Sequence, residues 1–127
     1  MIDTISKMMT QPVMRIDEDS TIQEAVETMG KEHFGTLLVT RHGKDVGILT
    51  AGDIISKVIA KKDNPKTIKV KEIMSTPLVT ADMKIIGEDA LRMMVKNDVR
   101  RLLITDNEEI VGIFTTSDIT KLVPHDE

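Results

Sequence analysis

GIFTTSD, residues 112–118, has a near copy 65 positions earlier in GILTAGD, residues 47–53. In both, an apolar run ends on a threonine and an aspartate follows three residues later. Working outward from this pair, the same offset aligns the whole chain without a gap. Met9-Thr10-Gln11-Pro12-Val13 falls on Met74-Ser75-Thr76-Pro77-Leu78, and Ala25, Val26 and Met29 fall on Ala90, Leu91 and Met94. Leu37-Leu38-Val39-Thr40 falls on Leu102-Leu103-Ile104-Thr105, and Val58 on Val123. Matches that run through turns as well as apolar positions mark an internal duplication.

Each copy reads as β-α-β-β-α. A short extended segment follows the proline (Val13–Ile16 and Leu78–Ala81). Ile22, Ala25, Val26 and Met29 then repeat at helical spacing and predict one apolar helix face. The runs TLLVT and DVGILT, and LLIT and EIVGIFT, are strands joined by the polar turns RHGK and DNEE. A last helix starts near Ala51 or Thr116, with Ile54, Ile55, Val58 and Ile59 apolar in one copy and Ile119, Leu122 and Val123 in the other. The expected fold is a mixed α+β arrangement of two repeats, 1–65 with the connector and 66–127. About sixty residues cannot cover a sheet and its helices alone. The repeats are therefore expected to pack sheet to sheet about a pseudo-twofold axis, with two equivalent grooves at the seam.

Composition narrows the function. The chain has 127 residues and no cysteine, which removes disulfides, thiol catalysis and cysteine-ligated zinc. A net charge of −4 argues against a dedicated nucleic-acid binder. Residues 57–71, KVIAKKDNPKTIKVK, carry six lysines and one aspartate, but DNP is turn chemistry and the stretch reads as a solvated connector. Nucleic-acid binding there would show steeply salt-dependent affinity. No apolar run approaches a membrane span and the N-terminus lacks a signal pattern, so a cytoplasmic location is expected. His33, His42 and His125 have no metal-ligand spacing, and GKDVG lacks the glycine spacing of a P-loop. There is no nucleophile elbow or dinucleotide fingerprint. Asp17/Asp19 and Glu108/Glu109 fall in turns, where exposed charge is the default. No catalytic set emerges, so a non-enzyme is expected.

TAGD (Thr50–Asp53) and TTSD (Thr115–Asp118) fit the capping-box pattern, which requires no ligand. The same residues also suit a nucleoside phosphate. Helix-start N–H groups and the hydroxyls of Thr115, Thr116 and Ser117 can donate to phosphate, while the acid can accept from a ribose diol. Capping and ligand contact are compatible.

The repeated M-[ST]-x-P, A-x-x-x-M and G-I-x-T-x-x-D-I elements resemble the cystathionine-β-synthase (CBS) domain as a tandem pair covering essentially the whole chain. The resemblance implies a stand-alone regulatory or energy-sensing module that binds an adenosine ligand in the cleft between the repeats; Arg100 and the hydroxyls of Thr115, Thr116 and Ser117 favour phosphate, and so AMP, ADP or ATP over S-adenosylmethionine. It implies that the aspartate holds ribose and that a basic residue near the first hairpin strand reaches phosphate. Arg100 is the first choice for that residue and Arg101 the alternate, because alternation sends them to opposite faces. The aligned residues of the first repeat are Gly35 and Thr36. By family geometry the opening segment of the opposite repeat completes each groove. The main groove is then Asp118, Thr115, Thr116, Ser117 and Arg100 with Thr10, Val13, Met14 and Ile16. The weaker one is Asp53, Thr50, Ala51 and Gly52 with Ser75, Leu78, Val79 and Ala81. Surplus apolar surface on Ile22/Ala25/Met29 and Ile54/Val58 predicts a homodimer of pairs, acting on an unidentified regulated protein. The competing reading is a dimerisation or interaction module with vestigial grooves. Gly87, at a helix start, departs from the pattern.

Overall fold

The structure is a computed structural model and describes residues 5–118. The elements are β1 (Arg15–Asp17), α1 (Ile22–Glu32), β2 (Thr36–Arg41), β3 (Lys44–Thr50), α2 (Ala51–Ile54), α3 (Val70–Ile73), β4 (Thr80–Asp82), α4 (Gly87–Asn97), β5 (Arg101–Asp106) and β6 (Glu109–Thr115). They form two three-stranded sheets, β1-β2-β3 and β4-β5-β6. In each, the first pair is parallel and the second is an antiparallel hairpin. The duplication holds in detail. Leu38 faces Ile48 as Leu103 faces Ile113, and each hairpin carries a register shift at equivalent points, Val39/Thr40 and Ile104/Thr105. The mixed α+β fold read from the sequence is the observed one.

Two compact units divide the chain: Met14–Leu78, and Met1–Val13 together with Val79–Glu127. Each hairpin is thus packed by the opening segment of the other repeat. In the second unit a 3-10 turn at Ile5–Lys7 buries Ile5 and Met8 with Ala90, Met94, Leu102, Ile104 and Phe114. Thr10 then bridges Ile113 through both backbone groups. In the first unit Val70 joins Ile22, Ala25, Met29, Leu37, Val39, Leu49, Ile54 and Val58, and Ser75 bridges Ile48. Thr10 and Ser75 are 65 residues apart, as are Ile113 and Ile48, so the exchange is reciprocal.

The helices form for local reasons. Thr21 opens α1 with a reciprocal box, accepting from Glu24 N while Glu24 Oε1 accepts from Thr21 N. His33 closes it in the left-handed conformation. Helix α4 begins at buried Gly87, with Ile86 before it and no side-chain cap. The connector turns at Asn64-Pro65, where Asn64 Oδ1 accepts from Lys66 N.

Four expectations are corrected. The opening strands lie at Arg15–Asp17 and Thr80–Asp82, so Val13, Met14, Leu78 and Val79 precede them. Val26 is 44% exposed, because it is rotated about 100° from Ala25 and falls on the rim of the α1 stripe. Ile55 and Ile59 are also exposed: each follows a buried residue, Ile54 or Val58, by one position and is rotated about 100° from it, off the inward face; the backbone here forms a π-helical turn, Ile55–Ile59. Finally, Ile22, Ala25, Met29, Ile54 and Val58 are all consumed by the core of their own unit and leave no surplus for a second copy. Among the described residues, the exposed large apolar ones are instead Val26, Ile55 and Ile59, with Val95 in the other unit. The expected helix at Ile119, Leu122 and Val123, and His125, lie outside the described residues.

Candidate functional site

Strand β6 delivers Thr115 to the turn that carries Asp118. The Thr115 N–H donates to Asp118 Oδ2 at 2.9 Å, and the Thr115 hydroxyl lies 3.3 Å from the same oxygen. Ser117 Oγ is 2.7 Å from Thr115 Oγ1, so the two hydroxyls and the carboxylate form one contiguous polar group. Asp118 is buried, while Thr116 and Ser117 are exposed. The Thr116 N–H donates to the Arg100 carbonyl, tying this turn to the start of β5.

The two arginines differ. Arg100 is exposed in the bend before β5, whereas Arg101 is half-buried in the strand and pairs directly with Thr115 across the hairpin. Arg101 Nε is shielded from solvent and meets no acceptor among the described residues. A buried guanidinium N–H without an acceptor is costly, so an anion beside Thr115 would satisfy it.

In the first repeat, Asp53 N donates to Thr50 Oγ1 at 3.1 Å and Thr50 N donates to Asp53 Oδ2 at 3.4 Å. Both capping boxes read from the sequence therefore place the acid at the N-cap backbone, with the longer contact at Asp53. Ala51 and Gly52 are exposed and offer no hydroxyl, and Gly35 accepts from Ala51 N. Lys57 Nζ stands 3.7 Å from Asp53 Oδ1.

The expected site sets are divided by the fold. Asp118, Thr115, Thr116, Ser117, Arg100, Thr10 and Val13 belong to one unit, and Met14 and Ile16 to the other. Met14 gives its carbonyl to Leu38 N, and Ile16 lies in β1 beside Val39. Likewise Asp53, Thr50, Ala51, Gly52, Ser75 and Leu78 share a unit, while Val79 and Ala81 sit against β5 in the other.

One cluster escaped the sequence reading. Glu18 is buried and accepts from Arg41 Nε at 2.8 Å, and Asp19 pairs with Lys71 at 2.9 Å and Lys69 at 3.9 Å. The Arg41 hydrogen bond holds the Glu18 carboxyl below its ordinary range, and the Lys71 hydrogen bond does the same to Asp19. Arg41 and Lys71 are raised in return. No short-range pattern announces these pairs, since their partners lie 23 and 52 residues away in the chain. Three of the six connector lysines, Lys57, Lys69 and Lys71, are thus engaged with the chain's own acids, in keeping with a connector rather than a nucleic-acid surface. Among the described residues no cluster of acids and histidines is placed to hold a metal ion, and no helix is long and apolar enough to cross a membrane.

Two hairpin sheets of one topology, each ending in a threonine-to-aspartate cap, define a tandem module, and the chain belongs to the CBS-domain family, whose model matches residues 5–60 and 70–125. Among curated relatives it is 33% identical over 118 residues to the CBS domain-containing protein YhcV of Bacillus subtilis, spanning 93% of this chain and 84% of YhcV. A crystal structure of an uncharacterized conserved protein from Pyrococcus horikoshii superposes with a TM-score of 0.83 at 31% identity, over all of this chain and 96% of that one. The CBS domain pair of protein MJ0100, solved in complex with 5'-methylthioadenosine and S-adenosyl-L-methionine, matches at 27% identity and a TM-score of 0.77, over 95% of each chain. Other relatives are longer: this chain spans 63% of a Methanopyrus kandleri protein and 22% of the inosine-5'-monophosphate dehydrogenase of Methanocaldococcus jannaschii.

Proposed function

We propose that this CBS pair is a non-catalytic regulatory module that binds AMP, ADP or ATP at the Thr115–Asp118 site. The observation that carries the reading is Arg101 Nε, buried beside Thr115 without an acceptor. A phosphate oxygen supplies that acceptor through a charge-assisted hydrogen bond. The Thr115 and Ser117 hydroxyls and exposed Thr116 add donors on the same turn. Asp118 contributes the opposite chemistry: a carboxylate can accept from both hydroxyls of a ribose. Thr10 and Val13 face the base, and Arg100 reaches the distal phosphates. The adenosine-type ligands of the MJ0100 pair support the ligand class. The arginine favours phosphate-bearing nucleotides over S-adenosylmethionine in this chain. The Asp53 site is the weaker partner because Ala51 and Gly52 lack hydroxyls.

The module works as a homodimer of pairs through the exposed Val26, Ile55 and Ile59, and nucleotide occupancy shifts how it engages a regulated protein. Sedimentation velocity of wild type and Ile59→Glu reads the dimer. A loss of the dimer in the variant supports the contact, and a monomeric wild type removes it.

Thermal shift against AMP, ADP, ATP, adenosine and S-adenosylmethionine tests the ligand. A ligand at about one hundred times its Kd stabilises the fold by about 2.7 kcal/mol. We expect a shift with AMP or ATP that vanishes in Asp118→Ala and survives in Asp53→Ala. The absence of a shift with any adenosine compound at millimolar concentration overturns the reading and leaves an interaction module with vestigial sites.

A further inference from the structure

The two capping aspartates have the same motif but not the same surroundings. Asp53 is engaged on both carboxylate oxygens: Oδ2 accepts from Thr50 N at 3.4 Å, and Oδ1 faces Lys57 Nζ at 3.7 Å. The lysine is itself held at a second point, donating to the Ile73 carbonyl at 3.3 Å. Ile73 is the last residue of α3, whose C-terminal carbonyls have no partner within the helix. One ammonium therefore serves two acceptors, the capping acid of α2 and the end of the connector helix.

We propose that Lys57 is the specificity-determining residue of the Asp53 site: a resident cation on the oxygen that a ribose diol would use. The proposal rests on the nucleotide reading of the module and gives a physical reason for the Asp53 copy of the motif to bind ribose less well. A diol donates two hydrogen bonds to a carboxylate, so it must compete with the ammonium for Oδ1. Displacing the lysine also strips a donor from Ile73. With Ala51 and Gly52 supplying no hydroxyls, nothing on the turn compensates for that loss. In this copy of the motif the acid anchors the connector instead of a ligand.

Adenosine is the appropriate probe, because it has the diol and no phosphate that Lys57 could attract. Saturation-transfer NMR compares the full chain carrying Asp118→Ala with the same chain carrying Asp118→Ala and Lys57→Leu. We expect adenosine affinity to rise about fivefold in the double variant, equivalent to about 1 kcal/mol, and to fall back when Asp53→Ala is added. An unchanged or weaker affinity, including no binding in either protein, overturns the proposal. A ligand-free measurement guards against misfolding of the variants. Acylation of wild-type lysines by an N-hydroxysuccinimide ester, read by mass spectrometry, should label Lys57 several-fold more slowly than exposed Lys61 and Lys62. Asp53→Asn should remove most of that protection. Labelling of Lys57 as fast as Lys61 refutes the anchored cation even if adenosine binds. Failure of the module's nucleotide reading has a different signature: no thermal shift with AMP or ATP in a wild type whose Asp118 is intact.

Discussion

Gly47→Ala should lower stability by about 2 kcal/mol, and the structure shows where the loss arises. A Cβ at Gly47 would lie 2.8 Å from Met74 Sδ, 3.0 Å from the Ser75 carbonyl oxygen and 3.2 Å from Thr76 Cγ2. Ordinary carbon contacts sit at about 3.5–4.0 Å, so all three neighbours are too close. The thioether can swing aside, since methionine is flexible. The Ser75 carbonyl cannot, because Ser75 is held to Ile48 by two backbone hydrogen bonds of 2.8 and 3.1 Å. Overpacking against such a fixed group costs about 3 kcal/mol, the upper end of the usual range. Alanine recovers up to about 1 kcal/mol by restricting the unfolded chain, which leaves the net of about 2. For a chain of this length that lowers Tm by about 6–10 °C, read by calorimetry or circular dichroism. Gly112→Ala is the internal control. There the three atoms nearest the new Cβ all belong to the Met9 side chain, Sδ closest of all, then Cγ at 2.9 Å and Cε at 3.1 Å, so a rotamer change relieves the clash at about half the cost. A Gly47→Ala protein melting within about 2 °C of wild type, or a larger loss at Gly112→Ala, would refute the packing argument.

Arg101→Met should weaken AMP binding about tenfold or more, the worth of a charge-assisted hydrogen bond, while adenosine binding stays within about twofold of wild type. Calorimetric titration checks this, and Arg100→Met should have the smaller effect; the reverse order assigns the phosphate to Arg100. Acid should destabilise the unit that contains Glu18 and Asp19. Both carboxyls are held below their ordinary values, by Arg41 and Lys71 respectively, so their contribution is complete above the unfolded carboxylate range of about 4 and is lost as pH falls through the folded values. Melting temperatures between pH 5 and 3 should fall more steeply in wild type than in Arg41→Met/Lys71→Met, and parallel curves would exclude the two pairs as the cause.

The scaffold was legible because symmetry displayed it twice. Any position whose identity matters only to its own turn, strand or cap recurs at the same offset: Thr50 and Asp53 form the full capping box that their spacing announced, and Asp118 likewise accepts from Thr115 N. What escaped were relations that span the two copies or bend the helix. Gly47 and Gly112 read as ordinary strand residues, since the methionines that press on them come from the opening motif of the other repeat. The π-helical turn after Ile54 was hidden for a related reason. Helical spacing assumes a constant 3.6 residues per turn and carries no signal for a widened one. Glu18 was passed over beside its more conspicuous acidic neighbours, because burial depends on Arg41 across the sheet.

The candidate site was legible in the opposite way, through the breaks in symmetry. Strand register, bulge position and bridge partners all survive the 65-residue shift, so duplication constrains the framework at every level. The differences gather around the two aspartates: Arg100-Arg101 against Gly35-Thr36, and Thr116-Ser117 against Ala51-Gly52. A packing requirement would have preserved these positions in both copies, as it did Gly47 and Gly112. On the nucleotide reading proposed for the module, they diverge where side chains would meet ligand: hydroxyls and a guanidinium stand near Asp118, and an ammonium stands 3.7 Å from Asp53. A twofold framework with one-sided chemistry is what a sensor needs if a single occupied site is to unbalance two otherwise equal halves.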